Sequence, residues 1–182
     1  MIRKEAIELV AKQSRKYPII SANGFISRDL FQVCDKNSNF YMIGSMGLAS
    51  SIALGIAIKN PKKRILVFDG DGNVFMNMGS LATIGSLQQK NLIHYVFDNQ
   101  SHESTGGQPT HSSIIQIEKI AKSANYSVFK TRTKKGLEKI LRKIKNLSGP
   151  ILVLIKVDTD DNISKRINLK CIDIRDRFMK SL

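Results

Sequence analysis

The sequence predicts an α/β domain: a doubly wound, mostly parallel sheet of about six strands with helices on both faces. Three observations carry that expectation. Short β-branched apolar runs alternate along the chain with longer segments of helical periodicity, the pattern of repeated βαβ units. The strongest runs, ILVF at 65–68 and ILVLI at 151–155, are apolar throughout, as strands covered on both faces must be. The 182 residues contain no internal repeat and no Pro/Gly/Ser-rich linker, so a single domain over residues 1–182 is expected. A chain of that size buries about 68–70% of its unfolded surface and supports its own core.

The elements follow in order. MIRKEAIELVAKQ opens the chain as an amphipathic helix over residues 3–15; it has no apolar h-region or cleavage site of a secretory signal. PIIS at 18–21 reads as a short strand, and residues 27–34 as a helix. FYMI at 40–43 is the second strand. The helix at 48–59 carries Ala49, Ser50, Ala53, Gly55 and Ala57, small residues that permit close packing. The strand at 65–68 is followed by a helix at 78–89, and LIHYVF at 92–97 by a helix at 114–123. YSVFK at 126–130 is a further strand. The helix at 134–146 repeats Leu137, Ile140, Leu141 and Ile144 at helical spacing. A strand at 151–157 and a helix at 172–179 end the pattern.

Composition narrows the function classes. The longest apolar-leaning stretch, residues 47–58, falls short of the ~20 residues a membrane span needs, so no membrane association is expected. Cys34 and Cys171 form no CxxC or zinc-like spacing, which implies reduced thiols and a cytoplasmic setting. The net charge of +14 favours anionic partners. Its densest run, residues 130–145, holds eight Lys/Arg against one Glu, and reads as the solvated outer face of a helix. With 7% aromatic residues and no Trp, the stacking platforms of nucleic-acid binding are scarce, but composition alone does not decide the point; on the sequence as a whole, no nucleic-acid partner is expected. A non-enzymatic basic α/β binding module is the alternative that composition alone leaves open.

Ligands of such sheets sit beyond the carboxyl ends of the strands. Three polar, glycine-bearing loops would face that rim: Gly44-Ser45-Met46-Gly47, then Asp69-Gly70-Asp71-Gly72-Asn73, then the run from Asp98 to Gln108. Glycines beside Asp71 would let the backbone turn sharply and a ligand approach closely. A carboxylate so held suits an oxygen-coordinated cation on a phosphate. Magnesium takes one or two protein oxygens plus phosphate and water. A second oxygen could come from Asn99, 28 positions on (99 − 71), at the end of a neighbouring strand. The third glycine of a dinucleotide-binding GxGxxG would fall at position 75, which is Phe75, and no GxxxxGK[ST] occurs. His102-Glu103 is no zincin motif, because HExxH needs His where Gly106 stands.

Gly70-Asp71-Gly72 followed by Asp98-Asn99 resembles the diphosphate-binding signature of thiamine diphosphate enzymes, where GDG precedes a paired Asn by one βαβ step. The resemblance implies the thiamine diphosphate-binding fold, with Mg2+ held by Asp71, the Asn99 side chain and the Ser101 carbonyl. It leaves Asp98, where the family has a first Asn, without an assigned role. Gly44-Ser45-Met46-Gly47 is similar to the loop under the aminopyrimidine ring. Met46 is then the implied wedge that bends the coenzyme, and the Gly44 carbonyl the partner of its amino group. Gly70, Gly72 and Asn73 join the coenzyme seat, as do Ser45 and, from the loop after the first strand, Gly24 and Ser27. His102 and Glu103 are the candidates for facing substrate; His94 and His111 receive no role.

The segments GSMGLASSIALGIA, GDGNVFMNMGSLATIG and DNQSHESTGGQPT are most similar to phosphonopyruvate decarboxylase. The alternative is the sulfopyruvate decarboxylase β subunit, a stand-alone chain of about this length. Either implies decarboxylation of an anionic 3-substituted pyruvate, 3-phosphonopyruvate first. The family's activating glutamate belongs to a separate pyrimidine-binding domain. The chain should therefore act with an α subunit that carries it, in a hetero-oligomer of two α and two β subunits or larger. Catalysis by the chain alone is not expected.

Overall fold

The computed structural model describes residues 1–159 and 162–182. Among the described residues eight α-helices and eight strands follow one another: α1 (Arg3–Gln13), β1 (Ile19–Ser21), α2 (Phe25–Cys34), β2 (Asn39–Tyr41), α3 (Ala49–Lys59), β3 (Ile65–Gly70), α4 (Asp71–Met76), α5 (Gly79–Ser86), β4 (Leu92–Asp98), β5 (Ser101–His102), β6 (Gln108–Pro109), α6 (Ile117–Ser123), β7 (Ser127–Thr131), α7 (Lys134–Ile144), β8 (Ile151–Lys156) and α8 (Cys171–Ser181). Six strands form one parallel sheet in the order β2-β1-β3-β4-β8-β7. The short β5 and β6 pair antiparallel on their own.

Alternation along the strands builds two cores, one on each face of the sheet. Leu66, Phe68, Tyr95, Phe97, Val153 and Ile155 face α1, α2 and α7. Phe68 meets Tyr95 and Phe97 edge-on, at ring separations of 5.6 and 5.3 Å, a favoured aromatic geometry. Ile65, Val67, Val96, Leu152 and Leu154 face the other way, onto α3, α5, α6 and α8. The buried stripe of α3 is Ala49, Ser50, Ala53, Leu54 and Ala57, so the helix lies close on the sheet. Gly55 was expected to share that packing and does not: it sits on the open side, with nothing within 4 Å of where a Cβ would stand. α7 buries Leu137, Leu141 and Ile144, and its cations decorate the outer face.

Strand order reverses direction between β1 and β3, which opens a crevice at their carboxyl ends. Two local departures from the sequence pattern shape that crevice. β3 continues through Asp69 and Gly70 and β4 through Asp98, residues expected in loops. Their carboxylates are satisfied within the sheet: Asp69 meets His94 Nε2 at 3.1 Å, and Asp98 meets Lys156 Nζ at 2.5 Å. The segment after β3 is also helical at once, since α4 precedes a shorter α5 where one helix at 78–89 was expected.

Candidate functional site

Asp71 is the first residue of α4, with Gly70 at its N-cap. The expected sharp glycine turn is absent: Gly70 is extended (φ −104) and Gly72 helical. Close approach explains Gly72 instead. A Cβ there would stand 2.5 Å from His102 Cε1 and 3.3 Å from Met46 Cε, so His102 and Met46 meet above this glycine. Asp71 is 1% exposed. Its Oδ2 accepts a hydrogen bond from Ser112 at 3.1 Å and another from Thr110. Burial pushes the Asp71 carboxyl above the ordinary carboxylate range, the neighbouring Asp98 carboxylate pushes the same way, and the two hydroxyls oppose them. A cation would relieve both.

Asn99 follows β4 directly. A left-handed Gln100 (φ 62) turns the chain back, so that Ser101 N donates to Asn99 Oδ1 at 3.1 Å. The Asn99 amide donates to Glu103 at 2.8 Å. Asp98 takes no part in this cluster of oxygens. Its carboxylate is 1% exposed and accepts from Ser112 (2.8 Å), Gln100 N (3.1 Å) and Lys156. It anchors the loop from behind.

One cavity gathers Asp71, Gly72, Asn73, Asn99, Ser101, His102 and Glu103 with Met46 and Gly70. The candidate ion-holding oxygens are one carboxylate, one carboxamide and one main-chain carbonyl, all hard ligands of the kind Mg2+ takes. Among the described residues no group of three or more His, Cys, Asp or Glu could hold a metal unaided. Donors of this type fit an ion that shares its shell with a diphosphate.

The remaining candidates take other roles or lie elsewhere. Asn73 borders the cavity, but its Oδ1 accepts from Gly47 N at 3.1 Å and so clamps the loop that carries Met46. Asn77 does the same through Gly47 O. Ser27 is turned away from the cavity; its hydroxyl donates to Ala22 O at 2.7 Å within its own turn. Gly24 caps α2 and touches the loop at Ser104 rather than lining the cavity. Gly44 and Ser45 are exposed beside Ile43 and Leu48, in an open apolar groove. His94 is buried against Asp69, and His111 is exposed.

Three participants were not assigned from the sequence. Thr110 and Ser112 are short hydroxyls behind Pro109 that nothing local marks as buried. Arg3 did leave a signal: Arg3, Ile7 and Val10 share one helical stripe, and a charge on an apolar stripe needs a buried partner. Asp29 and Glu103 are those partners.

Comparison with known proteins identifies the family. The family model described as thiamine pyrophosphate enzyme, C-terminal TPP binding domain, matches residues 24–155. The sulfopyruvate decarboxylase subunit beta of Methanocaldococcus jannaschii is 36% identical over 176 residues, 96% of this chain and 93% of that one. Its counterpart from Methanococcus maripaludis is 32% identical over 182 residues, covering 98% of that protein. The phosphonopyruvate decarboxylase of Streptomyces viridochromogenes is 38% identical over 150 residues, but the match spans only 38% of its length. A solved structure described as a thiamin diphosphate-dependent enzyme from Mycobacterium smegmatis superposes on 87% of the chain with a TM-score of 0.73 at 17% identity. That likeness shows the shared fold.

Proposed function

The chain belongs to the thiamine pyrophosphate enzymes, as their C-terminal TPP-binding domain and as a decarboxylase subunit, and from that membership we propose that it is the β-type subunit of a sulfopyruvate decarboxylase. The reaction would convert 3-sulfopyruvate to sulfoacetaldehyde and CO2. The observation that supports it is the meeting of Asp71, Asn99 and Ser101 at one cavity with Met46 and His102 across Gly72. Sulfopyruvate replaces phosphonopyruvate as the first reading because the chain matches the β subunits over nearly their whole length.

Asp71, Asn99 Oδ1 and the Ser101 carbonyl would hold Mg2+ and through it the coenzyme's diphosphate. When bound, the coenzyme supplies the electron sink that decarboxylation of a 2-oxo acid needs. The protein's part is position and electrostatics. Met46, in the loop that Asn73 and Asn77 clamp at Gly47, would be the wedge that bends the coenzyme. His102, which like Met46 closes over Gly72, would hold or move a proton near the substrate, while Glu103 is already engaged by Arg3 and Asn99. The activating glutamate would come from a partner α subunit. Exposed Ile43, Leu48, Met76, Met78 and Ile114 flank the loops of the site and suit such a partner.

The test is co-expression with the partner chain, followed by CO2-release assays on both 3-substituted pyruvates. Preference for sulfopyruvate is expected. Preference for phosphonopyruvate, for which the 38% identical relative speaks, would restore the second reading.

A further inference from the structure

We propose that Arg3, acting through Glu103, sets the orientation of the Asn99 carboxamide and so tunes the metal site from a helix outside the segment that the family model matches. The inference rests on the reading of Asn99 as a metal ligand and adds two positioning residues to it. Arg3 begins α1, whereas the family match starts at residue 24. The strand-like bridge of Ile2 to Asp158, with Asp158 N donating to Met1 O at 3.1 Å, holds the start of α1 at the carboxyl rim of the sheet. Arg3 can thus reach the site loop, 100 residues away in sequence.

Its guanidinium is 5% exposed and spans two carboxylates. Nε donates to Asp29 at 2.8 Å, and Nη1 donates to Glu103 Oε2. The Phe25 ring lies under the guanidinium carbon, 5.2 Å from centroid to carbon. Asp29, itself 2% exposed, fixes Arg3; Arg3 then fixes Glu103. A planar guanidinium holds carboxylates in a defined direction, which a flexible ammonium would not.

Glu103 Oε2 also receives the Asn99 amide at 2.8 Å. An ionised carboxylate only accepts hydrogen bonds, so the NH2 end of Asn99 must face Glu103. Oδ1, the atom that would bind the ion, is thereby left on the opposite side of the amide. Ser101 N, which donates to Asn99 Oδ1 at 3.1 Å, holds the same orientation from the other end, so without Glu103 the amide keeps only one of its two restraints and its NH2 end is released. Partners behind the ligands of a metal commonly change its affinity 10–100-fold.

The experiment titrates Mn2+ into the 182-residue chain at saturating thiamine diphosphate and reads free ion by electron paramagnetic resonance, which resolves weak binding. Wild type is compared with Glu103→Ala, Glu103→Gln, Asn99→Ala and the Glu103→Ala/Asn99→Ala double variant, with thermal melts of each metal-free chain. Positioning predicts that Glu103→Ala weakens Mn2+ about 10–100-fold while the chain stays folded at the assay temperature, its melt lowered by the lost partner of Arg3. Glu103→Gln, which keeps an acceptor, should recover most of the loss. In the Asn99→Ala background, Glu103→Ala should cost nothing further, because the group it orients is gone. An equal loss in both backgrounds would overturn the proposal, since Glu103 would then act on the ion by charge alone. Unchanged affinity in Glu103→Ala with lost affinity in Asn99→Ala would refute positioning and keep the metal reading. Wild-type affinity in Asn99→Ala would remove both. The Arg3 link is tested by Arg3→Met/Asp29→Asn, which deletes both buried charges together; it should reproduce the Glu103→Ala loss, and wild-type affinity would exclude Arg3.

Discussion

Gly72 has space for a hydrogen and nothing larger. Replacing it with Ala would suit the first turn of α4 by intrinsic helix propensity, which favours Ala over Gly by up to about 1 kcal/mol. The added methyl would nevertheless displace the His102 ring from its place beside Met46. Gly72→Ala is therefore expected to keep or slightly raise the melting temperature while weakening Mg2+–coenzyme binding by about tenfold or more, checked by melts and calorimetry. Asp71 separates stability from function in the same way. Its carboxyl is raised by burial and by Asp98, so between its ordinary range and the raised one the folded chain holds a proton that the unfolded chain releases. The metal-free chain should lose stability as pH rises through that window, and Mg2+ with coenzyme should reverse the loss. Asp71→Asn keeps an acceptor for Thr110 and Ser112 without the charge. It should stabilise the metal-free chain at neutral pH by on the order of 1 kcal/mol, seen as a few degrees in Tm, and should abolish metal binding.

At the scale of elements, the site depends on where α4 begins. Because α4 starts at Asp71 itself, one turn of helix carries the metal-ligand candidate at its first residue and Asn73 toward the 44–47 loop. Behind it, α5 reaches the end of α6 through Gly85, where a Cβ would stand 1.7 Å from Ala124 O. That contact is with backbone, which has no rotamer to yield. Gly85→Ala is expected to destabilise by about 2–3 kcal/mol through overpacking, a fall of roughly 5–10 °C in Tm. Gly55→Ala, in the open on α3, is its control and should leave Tm unchanged or raise it. If the two variants melt alike, the close approach of α5 and α6 is refuted.

At the scale of the whole molecule, the proposed function makes this chain one half of a coenzyme site. On the reading proposed here, the isolated chain binds Mg2+–coenzyme weakly and releases no CO2 from either substituted pyruvate, and adding the partner chain restores both. Robust turnover by the chain alone would contradict it. The parallel sheet, its six strands and the three loops on one rim were all legible in the sequence, because apolar periodicity and strand-end glycines are local properties. A resemblance whose motifs fall in those loops also led to Asp71, Asn99 and Met46, which line one cavity. The bounds of β3 and β4 were not legible: Asp69 and Asp98 look like loop residues until His94 and Lys156 are seen to satisfy them within the sheet.

By itself, the sequence determined the architecture and the gathering of three polar loops at one rim, since both follow from spacing along the chain. Only the tertiary structure decided which candidates converge. It turned Ser27 back into its own turn, made Asn73 a clamp, and placed Asp98 behind the site rather than in it. It also joined Arg3 to Glu103 and Glu103 to Asn99. The reason is physical: a buried charge takes whatever opposite charge the fold delivers, and for Arg3 that partner lies on a loop no local pattern connects to α1.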